Sequence, residues 1–156
     1  MRKVDCSKAV LDTNVWLDWL LFDDPRVTTV RDAHRGDRLR ILACAEARAE
    51  LADVLSRPRL IAQALASRSR RGGTPPDVGS LLDAFDAAVT LAPRAPVCGL
   101  TCRDPDDQRF VDLAVAQSAH FLLTRDRALL ALARAARRRF GLVITQPEHA
   151  EMQSEP

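Results

Sequence analysis

Two aspartates directly follow segments that are predicted to be buried strands. Asp12 comes after the apolar run KAVL, and Asp126 comes after FLLTR. Each could cap the helix that follows it, because an aspartate side chain accepts hydrogen bonds from the first backbone N–H groups of a helix. Each could equally be a metal ligand, because open α/β sheets bind their ligands beyond the carboxyl ends of the strands. The residue types therefore allow two interpretations at both positions.

Asp107 lies at the N-terminal end of a predicted apolar helix face, in the segment RDPDDQRFVDLA. The positions three, four and seven residues further on are Phe110, Val111 and Ala114. Helical spacing places all of them on the same side as Asp107. A carboxylate on a buried face is costly unless a cation or a hydrogen-bond donor compensates it. Asp107 is therefore a candidate ligand, whereas Asp104 is also explained as a helix N-cap.

A glutamate on another predicted helix has a similar position. Glu50 lies at the edge of an apolar stripe, and Glu46, one turn earlier, shares that face. The spacing alone does not decide between them. Asp53 and Asp112 each have an arginine three or four positions away and are interpreted as ordinary exposed ion pairs.

Carboxylates that lie close together repel one another, so a cluster of them needs a counterion. The cysteines and histidines are scattered apart from Cys98 and Cys102, and this spacing is not that of a zinc site. Oxygen ligands favour Mg²⁺ or Mn²⁺ over zinc. These ions polarise phosphoryl oxygens and activate water, so the residues indicate metal-dependent chemistry on a phosphate.

The elements that must position these acids alternate between strands and helices. Apolar segments without alternation predict strands at 8–11, 39–43, 120–124 and 141–145. Helical spacing predicts helices at 15–22, 26–34, 45–55, 59–67, 78–89, 106–118 and 127–138. Residues 67–77 are a predicted loop, and residues 91–100 (LAPRAPVCGL) are a predicted extended connection. This alternation predicts an α/β layer fold with a mainly parallel sheet.

The composition is that of a globular protein, with 47% hydrophobic and 28% charged residues in a chain of 156. This length suits one domain with one core. No apolar stretch approaches the roughly 20 residues that a membrane span needs. The start, MRKVDCSKAVLD, has no apolar signal region, so we expect a cytoplasmic protein. The net charge of +2 does not by itself indicate nucleic acid, although the arginines occur in clusters that could hold phosphates.

Four sequence blocks together resemble a known family. They are VLDTNVWL, AELADVLSRP, RDPDDQRFVDLAVA and FLLTRDRALL. In order and spacing they resemble the motifs of PIN-domain proteins, and in particular the toxin components of bacterial toxin–antitoxin pairs. The resemblance runs from Lys8 to Glu148. It implies a single PIN-like domain over 1–156, with a core of about 8–148 and a three-layer α/β/α fold around a mainly parallel sheet.

The resemblance also implies an activity, that of a Mg²⁺- or Mn²⁺-dependent ribonuclease. Water would attack an RNA phosphodiester and leave a 5′-phosphate and a 3′-hydroxyl. The catalytic and metal-binding acids of the family fall, motif by motif, on Asp12, Glu50, Asp107 and Asp126, and Asp104 is a fifth candidate ligand. A homodimer and a cognate antitoxin are further expectations that the family implies.

Substrate-binding residues are expected beside these acids. Asn14 and Thr124 would orient ligands or water. The arginines expected to grip flanking phosphates are Arg68, Arg70, Arg71, Arg125 and Arg127.

Two alternatives to the ribonuclease remain open at the level of sequence. The first is a non-catalytic RNA- or partner-binding domain with a vestigial acidic site. The second is a small-molecule phosphohydrolase of the haloacid type, which would need another aspartate two residues after Asp12. Asn14 stands at that position, so the first alternative is the stronger of the two.

Overall fold

Five parallel strands form one sheet in the computed structural model, which describes residues 6–69 and 77–152, with only the backbone of 67–69. The strands are β1 (Ser7–Leu11), β2 (Leu39–Ala43), β3 (Val89–Leu91), β4 (Phe121–Leu123) and β5 (Val143–Thr145). Their order across the sheet is β3-β2-β1-β4-β5, and every neighbouring pair is parallel. Strand β1 is central, with Val10 in register with Leu42 on one side and Leu122 on the other.

Helices connect the strands on both faces of the sheet. They are α1 (Thr13–Leu20), α2 (Thr28–Arg35), α3 (Ala45–Leu55), α4 (Pro58–Ser69), α5 (Val78–Ala88), α6 (Gln108–Ala116), α7 (Arg127–Leu130) and α8 (Ala133–Phe140). Short 3₁₀ turns cover Pro25–Val27, Pro105–Asp107 and Pro147–His149. Within the described ranges, none of the helices has the length and apolar character that crossing a membrane requires.

The side chains of β1 alternate between two hydrophobic cores, one on each face of the sheet. Ala9 and Leu11 belong to the core that α1 to α5 cover, and Val10 belongs to the core beneath α6, α7 and α8. Successive residues of a strand point to opposite faces, and a parallel sheet buries both. The predicted three-layer α/β/α architecture with a central parallel sheet is confirmed.

The direction in which the chain adds strands reverses between β1 and β4. Strands β2 and β3 are added on one side of β1, and then β4 and β5 on the other. Such a reversal leaves a crevice at the carboxyl ends of the two central strands, because the following helices depart to opposite faces. Asp12 follows β1 and Thr124 follows β4, so the crevice opens beside both residues.

Two predicted elements differ from the structure. A helix was expected to reach residue 89 and an extended connection to follow, but Val89–Leu91 pair with β2 as the edge strand β3. This strand is three residues long, and Thr90 and Leu91 are exposed, so it lacks the buried apolar run that identified the other strands. The helix predicted over 127–138 is two helices, α7 and α8.

Candidate active site

Asp12 is the first residue after β1, and only 3% of it is exposed. Its Oδ1 accepts a hydrogen bond from the Val15 N–H at 2.9 Å and so caps α1. Its Oδ2 accepts a hydrogen bond from the Thr124 hydroxyl. Burial raises the pKa of Asp12 to about 6, because these hydrogen bonds only partly replace the lost hydration. Asp12 is therefore both a helix cap and a buried carboxylate at the crevice.

Thr124 connects the acids that follow the two central strands. The side chain is fully buried, and its hydroxyl accepts the Asp126 N–H at 2.9 Å while donating to Asp12. Asp126 in turn caps α7, with Oδ1 accepting the N–H groups of Ala128 at 2.7 Å and Leu129 at 3.3 Å. Oδ2 of Asp126 has no hydrogen bond to any residue that the structure describes. One buried hydroxyl thus fixes the relative positions of both carboxylates.

Of the two candidate glutamates, Glu50 is the one that α3 directs towards Asp12. Its Oε2 accepts a hydrogen bond from the hydroxyl of Thr13 at 3.1 Å, and Thr13 is the neighbour of Asp12. The same oxygen lies 3.8 Å from the guanidinium of Arg109. Glu46 is exposed, and its backbone carbonyl accepts a hydrogen bond from Arg109 at 3.2 Å. The geometry therefore favours Glu50 as the site glutamate.

Asp107 precedes α6 and has the largest rise in pKa among these acids. Partial burial raises its pKa to about 7, and repulsion from Asp126, Asp104, Asp12 and Glu50 adds to the rise. The structure therefore brings all five acids close enough for their charges to interact. Asp104 is exposed and caps the 3₁₀ turn before α6.

This set of five carboxylates suits a hard divalent cation such as Mg²⁺ or Mn²⁺. Burial, and then the repulsion of the four other acids, raises the pKa of Asp107, and a bound cation would offset both effects. In residues 6–69 and 77–152, however, no three acidic, cysteine or histidine side chains already stand close enough to enclose an ion. Binding would require the partly or fully exposed side chains of Glu50, Asp104 and Asp107 to move towards the fixed carboxylate of Asp12.

An open groove of about 620 Å³ lies beside two of the acids, Asp104 and Asp126. Its lining residues are Asn14, Arg103, Asp104, Pro105, Arg125, Asp126, Arg127 and Ala128. Arg103 and Arg127 are exposed, and neither has an ion-pair partner in the described part of the chain. Available guanidinium groups such as these suit a phosphate backbone. Arg103 is an addition to the predicted residues, and its position next to Asp104 in the RDPDD segment is the signal that could have found it.

Arg125, which was expected to grip a phosphate, makes structural contacts instead. Its guanidinium pairs with Asp18 of α1 and with Glu148 of the last 3₁₀ turn, the latter at 3.1 Å. Only 17% of the Arg125 side chain is exposed. Arg125 therefore ties the loop after β4 to α1 and to the C-terminal turn, and it borders the groove without a free charge.

Replacing Arg125 by methionine is expected to lower the free energy of unfolding by about 2–3 kcal/mol. The change leaves Asp18, whose pKa burial already raises, in a half-buried position without its cation. At this chain length the melting temperature should fall by roughly 4–10 °C. Arg127→Met is the matched control, and as an exposed change it should alter stability by less than about 0.5 kcal/mol. Equal melting temperatures for the two variants would show that the Arg125 pairs are not structural.

The interpretation of Asp112 as an exposed ion pair is wrong. Asp112 is 6% exposed and accepts hydrogen bonds from the Cys98 N–H at 3.0 Å and from Gln108 Nε2 at 2.9 Å. The segment before α6 packs over this helix and covers the face that carries Asp112. Of the remaining predicted residues, Arg70 and Arg71 lie outside the described residues, and Arg68 is described only as backbone of α4.

The chain is an α/β/α protein with an acidic crevice at the carboxyl ends of β1 and β4, where the order of strand addition reverses. A sequence model of the PIN domain matches residues 8–128, and the chain belongs to the PIN domain family. PIN domains are generally nucleases.

A solved structure supports the fold. The chain is similar to one in the crystal structure of VapBC2 from Rickettsia felis bound to a DNA fragment from their promoter, with a TM-score of 0.54 and 16% sequence identity. The match covers 88% of this chain and 96% of that chain. The comparison with curated protein sequences gave no match.

Proposed function

We propose that this protein is a Mg²⁺- or Mn²⁺-dependent endoribonuclease that hydrolyses RNA phosphodiesters and acts in the cytoplasm as the toxin of a toxin–antitoxin pair. The observation that carries the proposal is the convergence of five acids from four segments near the carboxyl edge of the sheet, where the charges of the other four act on Asp107. Membership of the PIN domain family supports nuclease chemistry. The similarity to a chain of VapBC2 supports a fold that such toxins can have.

The cation would be held by Asp12, Asp107, Asp126 and Glu50, with Asp104 as a further ligand. When bound, a divalent ion at such a site lowers the pKa of water and neutralises charge on the phosphoryl oxygens. The hydroxyl of Thr124 holds the carboxylate of Asp12 and the backbone of Asp126 in place. The hydroxyl of Thr13 does the same for Glu50.

Asn14, Arg103 and Arg127 would bind the RNA, because all three line the groove and are exposed. Replacing Arg103 and Arg127 by glutamine should raise KM or Kd for RNA about three- to tenfold each, with a smaller effect on kcat. Each change should also reduce the slope of log Kd against log salt by about one, as expected for a lost phosphate contact.

Arg138→Gln on α8, an exposed arginine outside the groove, is the control for these two variants. Filter binding at several salt concentrations measures all three. An equal loss of affinity from Arg138→Gln would show that binding depends on overall charge and not on the groove.

The toxin role is tested in cells. Induced expression of the wild-type protein in a bacterium should arrest growth, and expression of Asp12→Asn at the same level should not. Light scattering of the purified protein tests the proposed homodimer, and co-purification with the product of a neighbouring gene tests the proposed antitoxin. Normal growth with active, well-expressed protein would limit the proposal to a ribonuclease without toxicity.

A further inference from the structure

A second cavity lies on the same edge of the sheet, beyond the ends of β2 and β3. Its volume is about 380 Å³, and its lining includes Cys44 after β2, Arg94 and Val97 after β3, and Gln108, Arg109 and Asp112 of α6. Pro105 lines both this cavity and the groove beside the acids. A polymer that occupied the groove could therefore place a neighbouring unit in the cavity.

A buried carboxylate contributes an open acceptor to this cavity. Two hydrogen bonds to Asp112 end on Oδ1, from the Cys98 N–H and from Gln108 Nε2. The Cys98 thiol, a weak donor, is a further hydrogen-bond partner of the Asp112 carboxylate. No nitrogen or hydroxyl donor of the described residues bonds to Oδ2, and none of their basic groups lies within 4.0 Å of Asp112. The residue is 6% exposed, and Oδ2 is not among the fully buried side-chain atoms that lack a partner, so it can accept a further donor. The cavity is the side from which a donor can reach it.

The rest of the lining favours a neutral planar group over a cation. Asp112 and Glu46 are offset by Arg94 and Arg109, so an added cation would meet as many positive as negative side chains. Arg109 is held in the wall by bonds to the carbonyls of Asp106 and Glu46, at 3.1 Å and 3.2 Å. The apolar part of the wall is formed by Ala95, Val97, Pro105 and Leu113.

We propose that this cavity binds a nucleobase next to the scissile phosphodiester and that Asp112 selects bases with an exocyclic amino group. The inference rests on the proposed ribonuclease function. Single-stranded RNA is read through unstacked bases and their hydrogen-bonding edges, and a cavity of this size is within the range of small-ligand sites. The exocyclic amino group of adenine, cytosine or guanine can donate to Oδ2 of Asp112. The N3–H of uracil is flanked by two carbonyl oxygens, which a carboxylate repels.

The test is Asp112→Asn, measured by fluorescence anisotropy of labelled oligo(A), oligo(C) and oligo(U) in EDTA. The wild-type protein should bind oligo(A) or oligo(C) about tenfold more tightly than oligo(U), in line with the discrimination of a single base contact. The asparagine keeps an acceptor for Cys98 and Gln108 but places an amide donor at the position of Oδ2. The variant should therefore lose this preference or reverse it towards uracil.

A second variant tests the cavity without changing the buried Asp112, in case Asp112→Asn does not fold. Val97 is 78% exposed, so Val97→Trp should fold normally and fill the cavity from its outer wall. Its preference among the oligonucleotides should fall below about twofold. Asp106→Asn, an exposed change outside the cavity, is the matched control and should keep the wild-type preference.

Equal affinity of the wild-type protein for the three oligonucleotides would overturn the proposal, as would an unchanged preference in both cavity variants. Binding of agmatine that Asp112→Asn abolishes, with no effect of base identity, would assign the cavity to a cationic side chain and also overturn it. The failure of the ribonuclease function has a different signature. In that case base-selective binding would persist in EDTA, and no RNA would be cut when metal is added.

Discussion

Asp12→Asn is expected to abolish RNA cleavage, with a fall in kcat of about 10³-fold or more. The substitution removes the one carboxylate that the fold fixes at the end of β1, and the loss of a metal ligand costs several kcal/mol of transition-state stabilisation. The fold should persist because asparagine has nearly the same shape and can still accept the Val15 N–H. Single-turnover cleavage of a labelled RNA with Mn²⁺, together with a melting curve, measures both effects.

Asp106→Asn is the matched control, because Asp106 is an exposed aspartate close in sequence to the site acids. It should retain cleavage within about twofold. RNA affinity in EDTA should remain within a few-fold of wild type for Asp12→Asn. Full activity of Asp12→Asn would show that Asp12 is not part of the site. Inactivity of both variants would show that cleavage depends on the overall charge and not on Asp12 in particular.

Asp107→Asn is expected to change activity and stability in opposite directions. Cleavage should fall by about 100-fold or more, because a proposed ligand of the cation is lost. The metal-free protein at pH 7.5 should become more stable by about 1–2 kcal/mol, a value reduced for the partial exposure of Asp107. The gain arises because burial of Asp107, and then repulsion from four other acids, raises its pKa to about 7. A purely structural aspartate would lose stability on the same change.

The raised pKa values of Asp107 and Asp12, caused first by burial, make the metal-free protein less stable as pH rises. Between about pH 4 and pH 7 the folded chain retains a proton on Asp107 that the unfolded chain has released, since the ordinary pKa is 3.8. Asp12, with a pKa of about 6, adds to this effect in the same direction. In EDTA, the melting temperature should therefore be higher at pH 5.5 than at pH 7.5, and Asp107→Asn should reduce this difference.

Added metal should act in the opposite direction. Saturating Mn²⁺ should raise the melting temperature at pH 7.5 and have little effect at pH 5.5. Stability that rises with pH in EDTA would contradict the raised pKa values.

The sequence predicted the layers of this fold because burial leaves a strong local pattern. The central strand β1 contains the apolar segment Ala9–Leu11, and α6 carries an apolar stripe at helical spacing; both lie where the prediction placed them. Strand β3 was not predicted, since two of its three residues are exposed and backbone pairing with β2 is what makes it a strand. Such pairing is tertiary information that a three-residue segment does not carry.

The candidate site likewise has features that the sequence predicted and contacts that only the folded structure reveals. The positions of Asp12 and Asp126 after their strands were readable from the sequence, because a parallel sheet has one carboxyl edge. The choice of Glu50 over Glu46 depends on the hydrogen bond from Thr13, which joins residues 37 positions apart. The burial of Asp112 and the pairing of Arg125 with Asp18 and Glu148 likewise depend on packing between distant segments. Local spacing could not predict any of these contacts.

The most direct measurement of the central claim is cleavage of a labelled single-stranded RNA by the wild-type protein with Mn²⁺, with Mg²⁺ and with EDTA, followed by identification of the product ends. We expect cleavage with at least one of the two metals, none in EDTA, and products with a 5′-phosphate and a 3′-hydroxyl. Cleavage that continues in EDTA, or a folded protein that neither cuts RNA nor binds Mn²⁺ in a direct titration, would contradict the proposal that these five acids form a metal-dependent nuclease site.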